Sequence, residues 1–169
     1  MTDRIKSKGV AALGTRFRRL SERLDRDVRE AYDRHGFDFE PSWFPVVTIL
    51  DELGPKPVGE LATLTGVSQP AISQIRKRLA DEGLIATTSD PLDHRRSTLS
   101  LSAKGRDMVR RLRPLWDAIA QASDTLVLSA APEILNQIDA LERALDQMPM
   151  SDRINTIITK PQRKKANPS

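Results

Sequence analysis

A chain of 169 residues is long enough for one domain with a real core, or two small ones. It has no cysteine, which excludes disulfides, thiolate metal sites and thiol nucleophiles, and no apolar run of the roughly 18 residues that a bilayer span needs. Its formal charge of +4 is unevenly spread: residues 1–55 are neutral, 56–113 carry +5, 114–159 carry −5 and 160–169 carry +4, so a basic middle faces a polyanion more readily than either flank does.

Leu13, Phe17, Leu20, Leu24 and Val28 recur at three- and four-residue steps, with arginines and acids on the other faces. That spacing predicts an amphipathic helix closing near His35-Gly36, where glycine takes a left-handed cap. Ser42 is the expected cap of a second helix over Trp43 to Leu53, whose Phe44, Val47, Leu50 and Leu53 share a face before Gly54-Pro55 stops it. A short third helix spans Val58 to Thr65, and Gly66-Val67-Ser68 makes a tight turn. Ser68 is the natural N-cap of a fourth helix from about Gln69 to Asp81, closed by Gly83. Leu84 to Thr88 and Ser97 to Leu101 read as strands around a polar, turn-rich loop that ends in Asp93-His94-Arg95-Arg96.

The helical period returns at Ala103 and runs through Met108, Leu112, Leu115, Trp116, Ile119 and Leu126, with Pro114 as a candidate kink. After Ala131-Pro132 a last helix carries Ile134, Ile138, Leu141 and Leu145. The expected layout has four parts. Residues 1–54 hold an N-terminal dimerisation helix and the first helix of a DNA-binding lobe, and residues 55–105 a winged helix-turn-helix. Residues 106–150 hold C-terminal dimerisation helices, and 151–169 a polar basic tail without fixed structure. The fold class is mainly α with a small β-hairpin wing.

Two short helices joined by a glycine-containing turn and followed by a hairpin make the winged helix-turn-helix plan. On the fourth helix Ile72, Ile75 and Leu79 can pack against Leu61, Leu64 and Val67 of the third helix and its turn. The opposite face offers Gln69, Ser73, Gln74, Lys77 and Arg78: amides and hydroxyls for base edges, cations for phosphates. Ser68 and the first-turn N–H groups suit a phosphate. In the loop, Asp93 can orient a guanidinium of Arg95 or Arg96 for the minor groove, and His94 can touch a phosphate. The plainer alternatives are a solvated surface helix and a solvated turn.

Several stretches carry a resemblance. They are Val58-Gly59-Glu60-Leu61-Ala62, Gly66-Val67-Ser68-Gln69-Pro70-Ala71-Ile72-Ser73-Gln74, and Leu79-Ala80-Asp81-Glu82-Gly83-Leu84-Ile85. Asp93-His94-Arg95-Arg96 and Leu99-Ser100-Leu101-Ser102-Ala103-Lys104-Gly105 extend it. Together they resemble the MarR family of winged-helix transcription regulators. The resemblance implies a homodimer with recognition helices in successive major grooves, wings in the flanking minor grooves, and the wing arginine at Arg95. It also implies repression of a promoter at a pseudo-palindromic site, relieved by a small ligand. Gln74 stands where the family often has Arg, which shifts base preference towards adenine.

The dimer has its own argument, because a lone winged helix leaves the stripes of the first and last helices facing water; an intramolecular bundle is the alternative. Trp43 and Phe44, with Tyr32 and His35, form a candidate effector pocket to which Arg16 would draw an anionic or aromatic ligand; the alternative is that these aromatics are core. His35 and His94 lack partners at metal-ligand spacing, and no catalytic triad, HExxH or phosphate-cradling glycine loop appears. The expectation is a cytoplasmic DNA-binding protein with no leader, membrane partner, metal, cofactor or enzymatic activity. An effector-independent architectural dimer and a protein-docking winged helix stay open as alternatives.

Overall fold

The computed structural model describes residues 3–89 and 97–159. Two compact units divide the chain between Ile119 and Ala120. In the first unit, a 3-10 turn over Lys6–Ala12 leads into helix α1, Leu13–Arg34. Its end follows from Gly36, whose φ of +72° lets the Phe37 N–H reach Tyr32 O at 3.0 Å and the Gly36 N–H reach Asp33 O at 3.1 Å. Helix α2 spans Phe44–Leu53 after a 3-10 turn, Pro41–Trp43. Ser42 therefore lies inside that turn and caps nothing. Trp43 occupies the cap position without a side-chain bond, and Pro45 in the first turn removes one N–H that a cap would have served.

Helices α3, Val58–Thr65, and α4, Gln69–Asp81, coincide with their expected spans. Gly66 between them is left-handed. Gly83 (φ +67°) closes α4, with Leu84 N–H bonding Leu79 O at 2.8 Å. The sheet has three strands rather than two: β1, Lys56–Pro57, β2, Ile85–Ser89, and β3, Ser97–Leu101, in the order β1-β3-β2, all neighbours antiparallel. Ile85 faces Leu101 and Ser89 faces Ser97 across the hairpin, while Lys56 faces Leu99. A two-residue strand containing proline has no alternating pattern to read, and it sits at the sheet edge, where proline's missing donor costs no ladder bond.

The core gathers Tyr32, Phe39, Trp43, Val46, Val47 and Leu50 with Leu61, Ile72, Leu79, Leu84, Leu99, Val109 and Leu112. Leu61, Ile72 and Leu79 are fully buried, so α3 and α4 pack as the periodicity requires, but Leu64 is 46% exposed and stands outside that contact. Phe44 and Leu53 also face outward, which leaves Val46, Val47 and Leu50 as the inner face of α2.

Helix α5, Ala103–Ala130, continues through Pro114 and packs on the sheet base through Gly105, Val109 and Leu112. Gly105 is dictated by proximity: a Cβ there would lie 2.0 Å from Leu84 O.

From Ala120 the chain belongs to the second unit, which holds the end of α5, then α6, Ile134–Gln147, and α7, Met150–Thr159. Helix α7 corrects the expectation that structure ends at residue 150. Pro149 opens a helix instead of ending one, since its carbonyl accepts from Asp152 and Arg153 at 3.1 Å. Arg153 then donates from Nε to Met148 O at 2.9 Å and from Nη2 to Ala144 O at 2.5 Å, satisfying carbonyls left open at the end of α6. The basic residues 160–169 lie outside the described residues.

Candidate nucleic-acid interface

Helix α4 buries Ile72 and Leu79 and turns Gln69, Pro70, Ser73, Gln74, Lys77 and Arg78 outward. Among the described residues, none hydrogen-bonds to the side chains of Gln69, Ser73, Gln74 or Lys77, so their donors and acceptors remain open. Ser68 stands at the N-cap with extended φ/ψ, yet its hydroxyl makes no capping bond. Pro70, at the second helical position, has no N–H to offer it, and Gln69 and Ala71 keep first-turn N–H groups of the kind that bind phosphate. Arg76, half-buried on the same helix, is a cation that the outward-face pattern passes over.

Behind α4, one serine ties three elements together. Ser102 Oγ donates to Gly83 O at 2.6 Å and accepts from Gly105 N–H at 2.9 Å, and Ser102 N–H donates to Leu84 O at 3.0 Å. Lys104 Nζ adds a bond to Glu82 O at 2.6 Å. The carbonyls that end α4 are thus held by the residues that begin α5, and the base of the hairpin is fixed relative to α4. Asp93, His94, Arg95 and Arg96 lie outside the described residues.

Of the candidate pocket residues, Tyr32 and Trp43 are core. Phe39 meets both edge-on, at centroid distances of 5.2 Å and 5.5 Å. The Tyr32 hydroxyl accepts from Trp116 Nε1 at 3.0 Å, and burial pushes its pKa up in spite of that bond. Phe44 is half-exposed and packs edge-on against Trp116 at 5.1 Å. Arg16 and His35 are exposed and take no part in this cluster. Trp43 Nε1 is buried without a hydrogen-bond partner.

An ion pair that spacing does not reveal joins Arg29 of α1 to Glu40, with the two terminal guanidinium nitrogens each donating to one carboxylate oxygen. The two residues lie eleven apart across a turn, so no helical or strand period links them. Arg29's hydrogen bonds hold the Glu40 carboxyl below its usual range against the opposing effect of burial, and the charge of Arg78 adds to this. Asp51 of α2 likewise receives Arg113 of α5 at 2.7 Å. No group of three or more potential ligands for a metal occurs among the described residues.

Residues 37–96, from the end of the first turn through the wing, match the model of the MarR family. That segment, about a third of the chain, is similar to the MarR family. Solved structures share the fold across a longer stretch. A MarR variant from E. coli complexed with operator DNA aligns at TM-score 0.63 and 18% identity, covering 85% of this chain and 99% of that one. The PcaV transcriptional regulator from Streptomyces coelicolor, in complex with its natural ligand, aligns at 0.61 and 22%, covering 86% and 98%. Bordetella bronchiseptica BpsR, whose DNA binding is regulated by 6-hydroxynicotinic acid, aligns at 0.61 and 21%, covering 79% and 92%. A search of curated proteins returns no match.

Proposed function

We propose that this protein, similar over residues 37–96 to the MarR family, is a repressor that binds a pseudo-palindromic duplex site as a homodimer, with α4 in the major groove and the wing in the minor groove. The observation that carries the reading is the outward face of α4, where Gln69, Ser73, Gln74 and Lys77 keep open donors and acceptors above a first turn with an unused serine hydroxyl. Ser68, Gln69 and Pro70 then lie at the phosphate backbone, Ser73 and Gln74 at base edges, and Lys77 and Arg78 at phosphates. Asp93, His94, Arg95 and Arg96 supply the wing contact. The E. coli MarR variant, complexed with operator DNA, supports this use of the fold.

Homodimer formation is supported by apolar stripes that each unit leaves in water: Leu13, Phe17, Leu20 and Leu24 on α1, and Leu141, Leu145, Ile154 and Ile157 on α6 and α7. Two-fold pairing that covers them sets recognition helices about 34 Å apart, one turn of DNA. Release by a small aromatic or anionic ligand is the regulatory part of the proposal. The unpaired Trp43 N–H is its polar handle and Phe44 its exposed ring. PcaV and BpsR, each described with a small molecule, are relatives in fold that support it.

Fluorescence anisotropy on the upstream DNA of its own gene and on a shuffled duplex, at two salt concentrations, tests the reading. Preference for the upstream duplex at two protomers per site is the expected result. Equal binding that collapses with salt turns the reading to an architectural dimer. Absence of binding at low salt turns it to a protein-docking module.

A further inference from the structure

Helix α5 runs unbroken from Ala103 to Ala130, and the two compact units divide within it, between Ile119 and Ala120. Ile119 is the last of its residues to pack on the core. Just before that exit the helix lacks one backbone bond, because Pro114 has no N–H to offer the Arg110 carbonyl, and a helix bends most readily at such a place. Side chains on either side of Pro114 hold the helix instead. Arg111 lies over the Phe37 ring at 5.3 Å, and Arg113 donates to Asp51 of α2 at 2.7 Å. Beyond the proline, Trp116 donates from Nε1 to the Tyr32 hydroxyl of α1 at 3.0 Å. Its ring also meets Phe39 and Phe44 edge-on, at 5.8 Å and 5.1 Å. The Arg113 side chain is 62% exposed, so water screens that pair. Tyr32 is 2% exposed, and a hydrogen bond shielded from water is the costlier one to leave unmade. Trp116 therefore carries the strongest tie between α5 and the first unit close to the point where the helix leaves it.

We propose that the hydrogen bond from Trp116 to Tyr32 fixes the direction in which α5 leaves the first unit, which makes both residues positioning residues for the half-site spacing that a dimer of this chain recognises. The inference rests on the DNA-binding reading above. In that reading the second unit supplies part of the surface between protomers, through Leu141, Leu145, Ile154 and Ile157, and the chain passes from that unit to the one holding α4 only within α5. The distance between two recognition helices then depends on the direction of α5. From Trp116 to Ala130 the helix is about 21 Å long at about 1.5 Å per residue. A tilt of about 10° at Trp116 displaces the far end by about 4 Å, as much as one base-pair step of about 3.4 Å. A single side-chain bond thereby holds a quantity that DNA reads in whole steps.

The test measures Kd by anisotropy for the wild type, Trp116→Phe and Tyr32→Phe, with thermal unfolding to establish that each variant is folded. The duplexes form a series in which the two half-sites footprinted in the upstream DNA are moved together or apart by one and two base pairs. The wild type is expected to lose about tenfold or more in affinity when the spacing changes by one base pair. In either variant that loss should shrink to less than about threefold, while the best duplex is bound about two- to fivefold more weakly. The double variant should be no flatter than either single one, since both replacements remove the same bond. Loss of folded protein weakens binding to every duplex alike, so the ratio between spacings is the readout that a merely structural role does not move.

Variants that keep the wild-type ratio between spacings overturn the proposal, and so does a wild type that binds every spacing alike. If Trp116→Phe does not fold, Tyr32→Phe decides alone, because it removes a single oxygen and keeps the ring. Failure of the wild type to bind any duplex removes the DNA-binding reading itself, whereas binding with an unchanged ratio in the variants removes this inference alone.

Discussion

At the residue scale, the proposed DNA contact divides the outward face of α4 into groups that would choose a sequence and groups that would hold any sequence. Gln74→Ala is expected to cost about 1–3 kcal/mol on the specific duplex and little on a shuffled one. Lys77→Ala should weaken both alike and reduce the salt slope by about one, and parallel anisotropy titrations on the two duplexes separate these outcomes. Glu40 gives a pH dependence whose sign follows from its partner. Its carboxyl is lowered in the folded state, chiefly by the Arg29 hydrogen bonds, so the stability it adds is full above the free glutamate pKa of about 4.3 and is lost as pH falls through the folded value. Asp3, lowered by its hydrogen bond from Arg19, lies at the surface, where water screens the pair. Urea midpoints between about pH 3 and 7 should therefore fall more steeply in acid for the wild type than for Glu40→Gln.

At the scale of elements, Gly105 is the position where the fold tolerates least. Alanine inside a helix is normally worth up to about 1 kcal/mol over glycine. Here the added carbon meets the Leu84 carbonyl, a backbone atom that cannot retreat without breaking its bond from Ser102. The clash outweighs the propensity, and Gly105→Ala should lose about 1–3 kcal/mol, seen as a lower urea midpoint at unchanged m.

The glycine stops, apolar spacing and polar outer face made α1, α3 and α4 legible, because each depends on neighbours about one helical turn away, and the polar, turn-rich loop between two short apolar runs marked the hairpin. The elements that were not legible depend on something else. β1 exists because Lys56 and Pro57 meet β3 more than forty residues away. The cap of α2 moved because two prolines reshaped its entry. Helix α7 was hidden by reading residues 151–169 as one polar basic tail, although Met150, Ile154, Ile157 and Ile158 keep a helical period. In the site, the face of α4 was readable from amphipathicity. Burial of Tyr32 and Trp43 and the Arg29–Glu40 pair required tertiary neighbours.

For the whole molecule, the quantity that matters is apolar surface without a partner. Leu20 and Leu24 on α1, and Ile157 and Ile158 on α7, are between 43% and 74% exposed. If a second protomer covers them, apparent stability is set partly by mass action, and Tm should rise with protein concentration over a hundredfold range. Leu20→Glu should abolish that rise, leaving a smaller species by sedimentation and a lower, concentration-independent Tm. A wild-type Tm that does not move with concentration, together with a monomeric mass, would favour an intramolecular bundle.

The bonds around Ser102 also govern how the lobe breathes. Leu84 lies between α4 and β2, Ser102 between β3 and α5, and Gly105 in the first turn of α5, but each has its amide proton in the same small network, and opening one releases the acceptors of the others. Their deuterium uptake should follow a single opening event and be slow compared with the ends of the chain, so that the close of α4, the hairpin base and the start of α5 exchange as one cooperative foldon.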